Sequence, residues 1–223
     1  MDNLKNLETL LSKERLKSYD NNIEKHYKNL KLIGKITPKI ATLEIILRNK
    51  LNNILLSKDS EWIKNSEDLK ITEEIKKIED REKRENDNND IHLSHHQYLS
   101  RLSLGIIIRT INQEKLRNQV MDLKKIKFKK YDDSNRDFFF NNGKKLFFRN
   151  THKVDIALSL LQNLRNRSYH WENIMKTARK ENEIYPRITT KVKDTHIGIN
   201  PNKIEVFLED LIKAFDKKFL DYC

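Results

Sequence analysis

Thr151-His152-Lys153-Val154-Asp155-Ile156-Ala157-Leu158-Ser159-Leu160-Leu161-Gln162-Asn163-Leu164-Arg165-Asn166-Arg167-Ser168-Tyr169-His170 is the stretch on which the fold turns. Val154, Ile156, Leu160, Leu161 and Leu164 predict a helix that begins at Thr151 or His152. That helix leads straight into Arg165 and carries an Arg, an Asn and a His in the order Arg-Asn-x-x-x-His at its end. The chain of 223 residues holds only 4 Gly and 3 Pro, whereas strands and tight turns normally draw on more of both. The expected fold class is therefore all-α, a helical bundle read as one domain over residues 1–223, with no internal repeat and no separating linker.

Toward the N-terminus, Leu16, Tyr19, Ile23, Tyr27 and Leu30 predict a first helix from Leu4 to about Ile33. Gly34 to Pro38 predicts a break. Ile40, Leu43, Ile46, Leu47, Leu51, Ile54 and Leu55 mark a second helix, and Ser60 is placed to cap a short one holding Trp62 and Ile63. Thr72 to Asn89 reads as a solvated helix anchored by Ile75 and Ile78, decaying into a loop at Asn86 to Asp90. A further helix is expected from Ser94 to about Leu116. Tyr185 to Thr195 is basic and shows no clear period. Asn200-Pro201, a cap followed by proline, opens a last helix carrying Ile204, Phe207, Leu208, Leu211, Ile212, Phe215 and Phe219.

Lys124 to Arg149 departs from this pattern. It contains Phe128, Phe138, Phe139, Phe140, Phe147 and Phe148, with Asn142-Gly143 between the aromatic clusters. Asn-Gly flanked in this way predicts a small β-hairpin insertion near residues 136–149; a helix–helix corner is the alternative. Lys124, Lys125, Lys127, Lys129 and Lys130 crowd the start of the region, and Lys144 and Lys145 follow the turn. Lysines interleaved with aromatics suit single-stranded RNA, which is bound by phosphate pairing and base stacking. The competing reading is that these phenylalanines fill the core.

The formal net charge is +12, from 45 Lys and Arg against 33 Asp and Glu. Such an excess favours a polyanionic partner, although a Lys- and Asn-rich drift of composition produces the same excess. The lone cysteine, Cys223, excludes a disulfide within the chain and a Cys-based zinc site. Met1 to Lys13 is charged throughout and no apolar run approaches about 20 residues, so the expectation is a cytoplasmic protein with no membrane partner. His92, His95 and His96 cluster, but a polar helix start explains them better than a metal site. There is no Gly-rich phosphate loop, so no nucleotide cofactor is expected.

RNA can be cleaved through its own 2′-hydroxyl if a base takes that proton, a cation stabilises the phosphorane and an acid protonates the leaving oxygen. His170 suits base or acid, because imidazole titrates near neutral pH. Arg165 can clamp the phosphate bidentately. Asn166 lies one turn from His170 and can orient it. Arg165 and His170, however, stand about 140° apart around an ideal helix. Two motifs facing each other across a homodimer would bring both groups to one phosphate. Catalytic candidates are thus Arg165, Asn166 and His170. The candidate RNA contacts are Arg48, Lys124, Lys125, Lys127, Lys129, Lys130, Lys144, Lys145 and Arg167.

Arg165-Asn166-x-x-x-His170 resembles the motif of the HEPN superfamily, more specifically its Abi-like (abortive infection) branch. Leu43-Glu44-Ile45-Ile46-Leu47-Arg48-Asn49 is similar to that branch's early helix, and Leu102-Ser103-Leu104-Gly105 to its mid-chain Leu-x-x-Gly element. Trp171 stands where many relatives have a second His, and Ile106-Ile107 where an aromatic pair is usual. The resemblance implies a HEPN-type helical bundle working as a dimeric, metal-independent endoribonuclease with no cofactor, an effector of phage defence or a toxin. It also implies an inhibitory small RNA as a partner. The rival readings are a non-catalytic RNA-binding protein and a helical adaptor or antitoxin-like protein.

Overall fold

A computed structural model describes residues 9–86, 92–180 and 183–223. The start of the first expected helix, at Leu4, and most of the expected loop at Asn86 to Asp90 lie outside them. Two compact units divide the chain: one comprises the chain up to Leu43 together with Leu123–Cys223, the other Glu44–Asp122. Helix α2 spans their boundary.

The first unit opens with α1 (Lys13–Lys17), capped by Ser12. After a turn, α2 (Ile23–Leu56) runs 34 residues without interruption. The break expected at Gly34 to Pro38 is absent, because both residues lie on the exposed face. The Gly34 carbonyl that proline leaves without a donor there faces water, while Ile33, Ile36, Ile40 and Leu43 on the opposite face are fully buried. Burial of such side chains stabilises by about 1.5–3 kcal/mol each, which outweighs one lost hydrogen bond. Thr37 Oγ1 also donates to the Ile33 carbonyl at 2.7 Å.

The all-α expectation is overturned. Among the described residues, six strands form three two-stranded antiparallel sheets, all in this unit, so the molecule is mixed α/β with helix predominating. Strands β1 (Phe138–Asn141) and β2 (Lys144–Phe147) are the hairpin expected at Asn142-Gly143, whose φ values of 48° and 75° are both in the left-handed region. Helix α7 (Asn150–Tyr169) follows. Then come β3 (Thr177–Lys180) with β4 (Glu183–Pro186), and β5 (Ile188–Val192) with β6 (Thr195–Ile199). Tyr185 to Thr195, which shows no helical period, holds the end of β4, all of β5 and the turn into β6. Ile188-Thr189-Thr190-Lys191-Val192 is rich in β-branched residues, which favour a pleated surface. Ile188, Ile197 and Ile199 bury one face of the β5–β6 sheet. Ser159 on α7 bonds Thr190 at 2.7 Å, and Asn163 donates to the Thr189 carbonyl at 3.2 Å. Gly198 is required, since a Cβ there would meet Pro186 Cγ at 2.4 Å. A 3₁₀ turn begun by Asn200 leads into α8 (Ile204–Lys213), which buries Ile204, Phe207, Leu208, Leu211 and Ile212.

The second unit contains the end of α2, then α3 (Leu69–Asn86), α4 (His95–Arg101), α5 (Leu104–Gln113) and α6 (Arg117–Val120). The helix expected at Trp62 is a series of turns instead, capped by Asp59 rather than Ser60, with Asp59 Oδ1 accepting from Glu61 N at 2.8 Å. The single helix expected from Ser94 is divided, because two serines each act as an N-cap. Ser94 forms a capping box with Gln97, and Ser103 accepts from Ile106 N to start α5. His95 is spent on structure: its Nε2 lies 2.7 Å from Asn52 Oδ1, and its ring lies edge-on to Trp62.

Candidate active site

Helix α7 ends in a Schellman turn, in which the amide of Glu172 bonds the Arg167 carbonyl at 2.9 Å and that of Trp171 bonds Ser168 at 3.0 Å. The left-handed residue that closes such a turn is usually Gly; here it is Trp171, at φ 55°. His170 is the C-cap. Its backbone amide bonds the Asn166 carbonyl at 3.1 Å, and its exposed imidazole has no partner among the described residues. Asn166 is also exposed, one turn earlier. Arg165 is half-buried and lays its guanidinium over the Tyr169 ring, 4.5 Å from the centroid. The three catalytic candidates therefore share one helix end, with Arg165 turned toward Tyr169, on a different side from His170.

Residues that the sequence reading passes over hold this end in place. Arg15 Nη2 donates to the Trp171 carbonyl at 2.9 Å, and Arg15 Nε donates to His26 Nε2 at 2.9 Å. Buried Asn29 donates to the Glu172 carbonyl at 3.0 Å and accepts from the Ile174 amide at 3.0 Å. Glu172 bridges two arginines: it accepts from Arg167 at 2.6 Å and from Arg187. Arg187, then Arg167, hold its carboxyl below the usual carboxylate range against the opposing effect of burial. Arg167 is thus engaged within the protein. No local signal marks these partners, because Arg15 and Arg187 are remote in sequence and meet the helix end only through tertiary structure.

The chain beyond His170 borders an open cleft of 410 Å³. Asn173, Met175, Lys176 and Thr177 form one side; Lys17, Ser18, Tyr19, Asp20, Lys25 and Lys28 form the other. Its single acid, Asp20, is paired with Lys25 at 2.7 Å. The helix C-terminus carries about half a negative charge, which opposes a phosphate; these lysines and Arg15 supply the opposite sign.

The other candidates are dispersed. Lys125, Lys127 and Lys129 are exposed. Lys130 pairs with Asp210 at 2.5 Å. Lys124 is exposed at its side chain, while its carbonyl accepts from buried Lys153 at 2.8 Å. Lys144 and Lys145 lie on β2. Arg48 is in the other unit, where it donates to the Leu102 carbonyl at 3.3 Å and lies 3.6 Å from Glu44. Of the six phenylalanines, Phe128, Phe139 and Phe148 are core residues, whereas Phe140 and Phe147 are exposed and Phe138 is half-buried. Among the described residues, no helix is long and apolar enough to cross a membrane. In comparison with known proteins, the chain matches no family model, no curated protein and no solved structure.

Proposed function

We propose that this chain is a metal-independent endoribonuclease, active as a homodimer and serving as an abortive-infection or toxin effector. The observation that carries the reading is the unengaged, exposed imidazole of His170, one turn from Asn166 and on the same helix end as Arg165. A histidine serving only the fold is normally hydrogen-bonded or packed, as His26 and His95 are. In this scheme His170 relays the proton, Arg165 holds the phosphorane charge and Asn166 orients the ring or the phosphate. The lysine-lined cleft beside the helix end gathers the RNA backbone. The separation of Arg165 from His170 around the helix is the reason for invoking a second copy. The resemblance of Leu164–His170 to the HEPN motif supports the same assignment, including control by an inhibitory RNA.

The test is cleavage of single-stranded RNA in EDTA, with products read for 2′,3′-cyclic phosphate ends. Arg165→Ala and His170→Ala are each expected to lower the rate at least a hundredfold with the fold unchanged by circular dichroism. Cleavage that survives both substitutions rules out this site. The turning of Arg165 onto Tyr169 favours a second reading, a non-catalytic RNA-binding protein. Salt-dependent RNA affinity without any cleavage would identify that case.

A further inference from the structure

The β1–β2 hairpin is apolar on both faces, although only one is needed for folding. Its register pairs Phe138 with Phe147 and Phe140 with Lys145, so these four side chains share one face. Phe139 lies on the other face, buried, stacked on Phe148 at 5.9 Å and edge-on to His152 at 5.1 Å. That contact anchors the hairpin. The outward face, where polar residues are the rule, instead carries three aromatic rings. Phe147 is 68% exposed and Phe140 44%. Their ring centres lie 6.2 and 5.7 Å from that of Phe138, so the rings form one continuous surface.

Cations gather around the outward rings. Lys145 Nζ sits 4.0 Å from the Phe138 centroid and 5.4 Å from that of Phe147, and Arg136 lies over Phe138 at 5.9 Å. The acid nearby, Asp194, accepts from the Phe140 amide at 3.0 Å. Open rings with cations between them fit a ligand made of flat bases joined by phosphates. The same face on a second copy would set like charges against each other.

We propose that the outward face of the β1–β2 hairpin binds single-stranded RNA, with bases stacking on Phe140 and Phe147 and the backbone paired with Lys145 and Arg136. This deepens the ribonuclease reading by naming an unpaired strand as the substrate, and it rests on that reading only for the identity of the nucleic acid. Binding is therefore measured with a chain that cannot be cleaved. A fluorescein-labelled 2′-O-methyl oligoadenylate of 12 nucleotides is titrated by anisotropy, with inorganic polyphosphate as the base-free polyanion.

The double variant Phe140→Ala/Phe147→Ala is expected to bind the oligonucleotide about tenfold or more weakly and polyphosphate unchanged. Phe147→Trp, which keeps a stacking ring, is expected to retain full affinity. Unchanged oligonucleotide affinity in the double variant overturns the proposal. So does an equal loss for both ligands with the circular dichroism spectrum unchanged, which would mean that the rings do not act by stacking bases. So does loss of binding to phosphatidylserine vesicles while RNA binding persists, which would assign the face to a membrane. Loss of cleavage in His170→Ala with oligonucleotide affinity intact separates the two ideas: each then stands or falls on its own assay.

Discussion

His26 shows how one buried residue couples proton binding to the candidate site. It is 2% exposed, lies edge-on to Tyr19 at 5.0 Å, and accepts the Arg15 bond on Nε2. Burial, and then the Arg15 charge, hold its imidazole below the ordinary value of 6.5. The unfolded chain takes up this proton as pH falls past 6.5, whereas the folded chain resists until lower pH. Between those points the unfolded state binds more protons, so stability is fully present above 6.5 and is lost as pH falls below it. His26→Gln keeps an acceptor for Arg15 but cannot titrate. Urea midpoints measured from pH 7 to pH 5 should decline less steeply in the variant. An identical decline would clear His26 of this role. His95, also held low by burial, leaves a residual slope in both proteins. At this scale the sequence announces residue types and little else: the exposed His170 and the buried His26 look alike in the chain, and only their surroundings separate them.

At the scale of elements, local chemistry and tertiary burial compete, and α2 records the outcome. Gly34 and Pro38 are valid stop signals, but they fall on the solvent face of a helix whose buried stripe continues through them. Pro38→Ala returns the missing amide and removes the ring clash with the preceding turn. It should raise the urea midpoint, by up to about 3 kcal/mol of stability. A lower midpoint would show that the packing needs the geometry that Pro38 imposes. Where the local signal faces no such opposition, it holds. Asn142-Gly143 turns the hairpin, Asn200 begins the last helical segment, and Ser94 and Ser103 begin their helices. The β5–β6 hairpin carries no such local signal, because Lys193 makes its turn at φ 56° without Gly or Pro.

At the scale of the molecule, a few buried polar side chains join segments far apart in sequence. Asn135 donates to the carbonyls of Phe128 and Gly198 at 2.9 and 2.7 Å and accepts from the Gly198 amide at 2.8 Å. It thereby ties the basic loop before the hairpin to β6. Asn135→Ala leaves the Gly198 amide and carbonyl unpaired in the interior, while the Phe128 carbonyl keeps the Tyr131 amide, and should lower stability by about 2–3 kcal/mol, read from chemical unfolding. A change under about 0.5 kcal/mol would mean that water replaces those bonds. The sequence by itself determined the predominance of helix, the apolar stripes of α2, α7 and α8, the turn at Asn142-Gly143, the basic character, and the placement of Arg165, Asn166 and His170 at one helix end. Spacing and turn chemistry fix these within a few residues of chain. Tertiary structure decided which phenylalanines face solvent, which arginines are consumed by Glu172, that four lysines from distant segments line one cleft, and that a polar, aperiodic stretch pairs into strands. These depend on burial and on hydrogen bonds between remote segments, whose energies appear only when the segments meet.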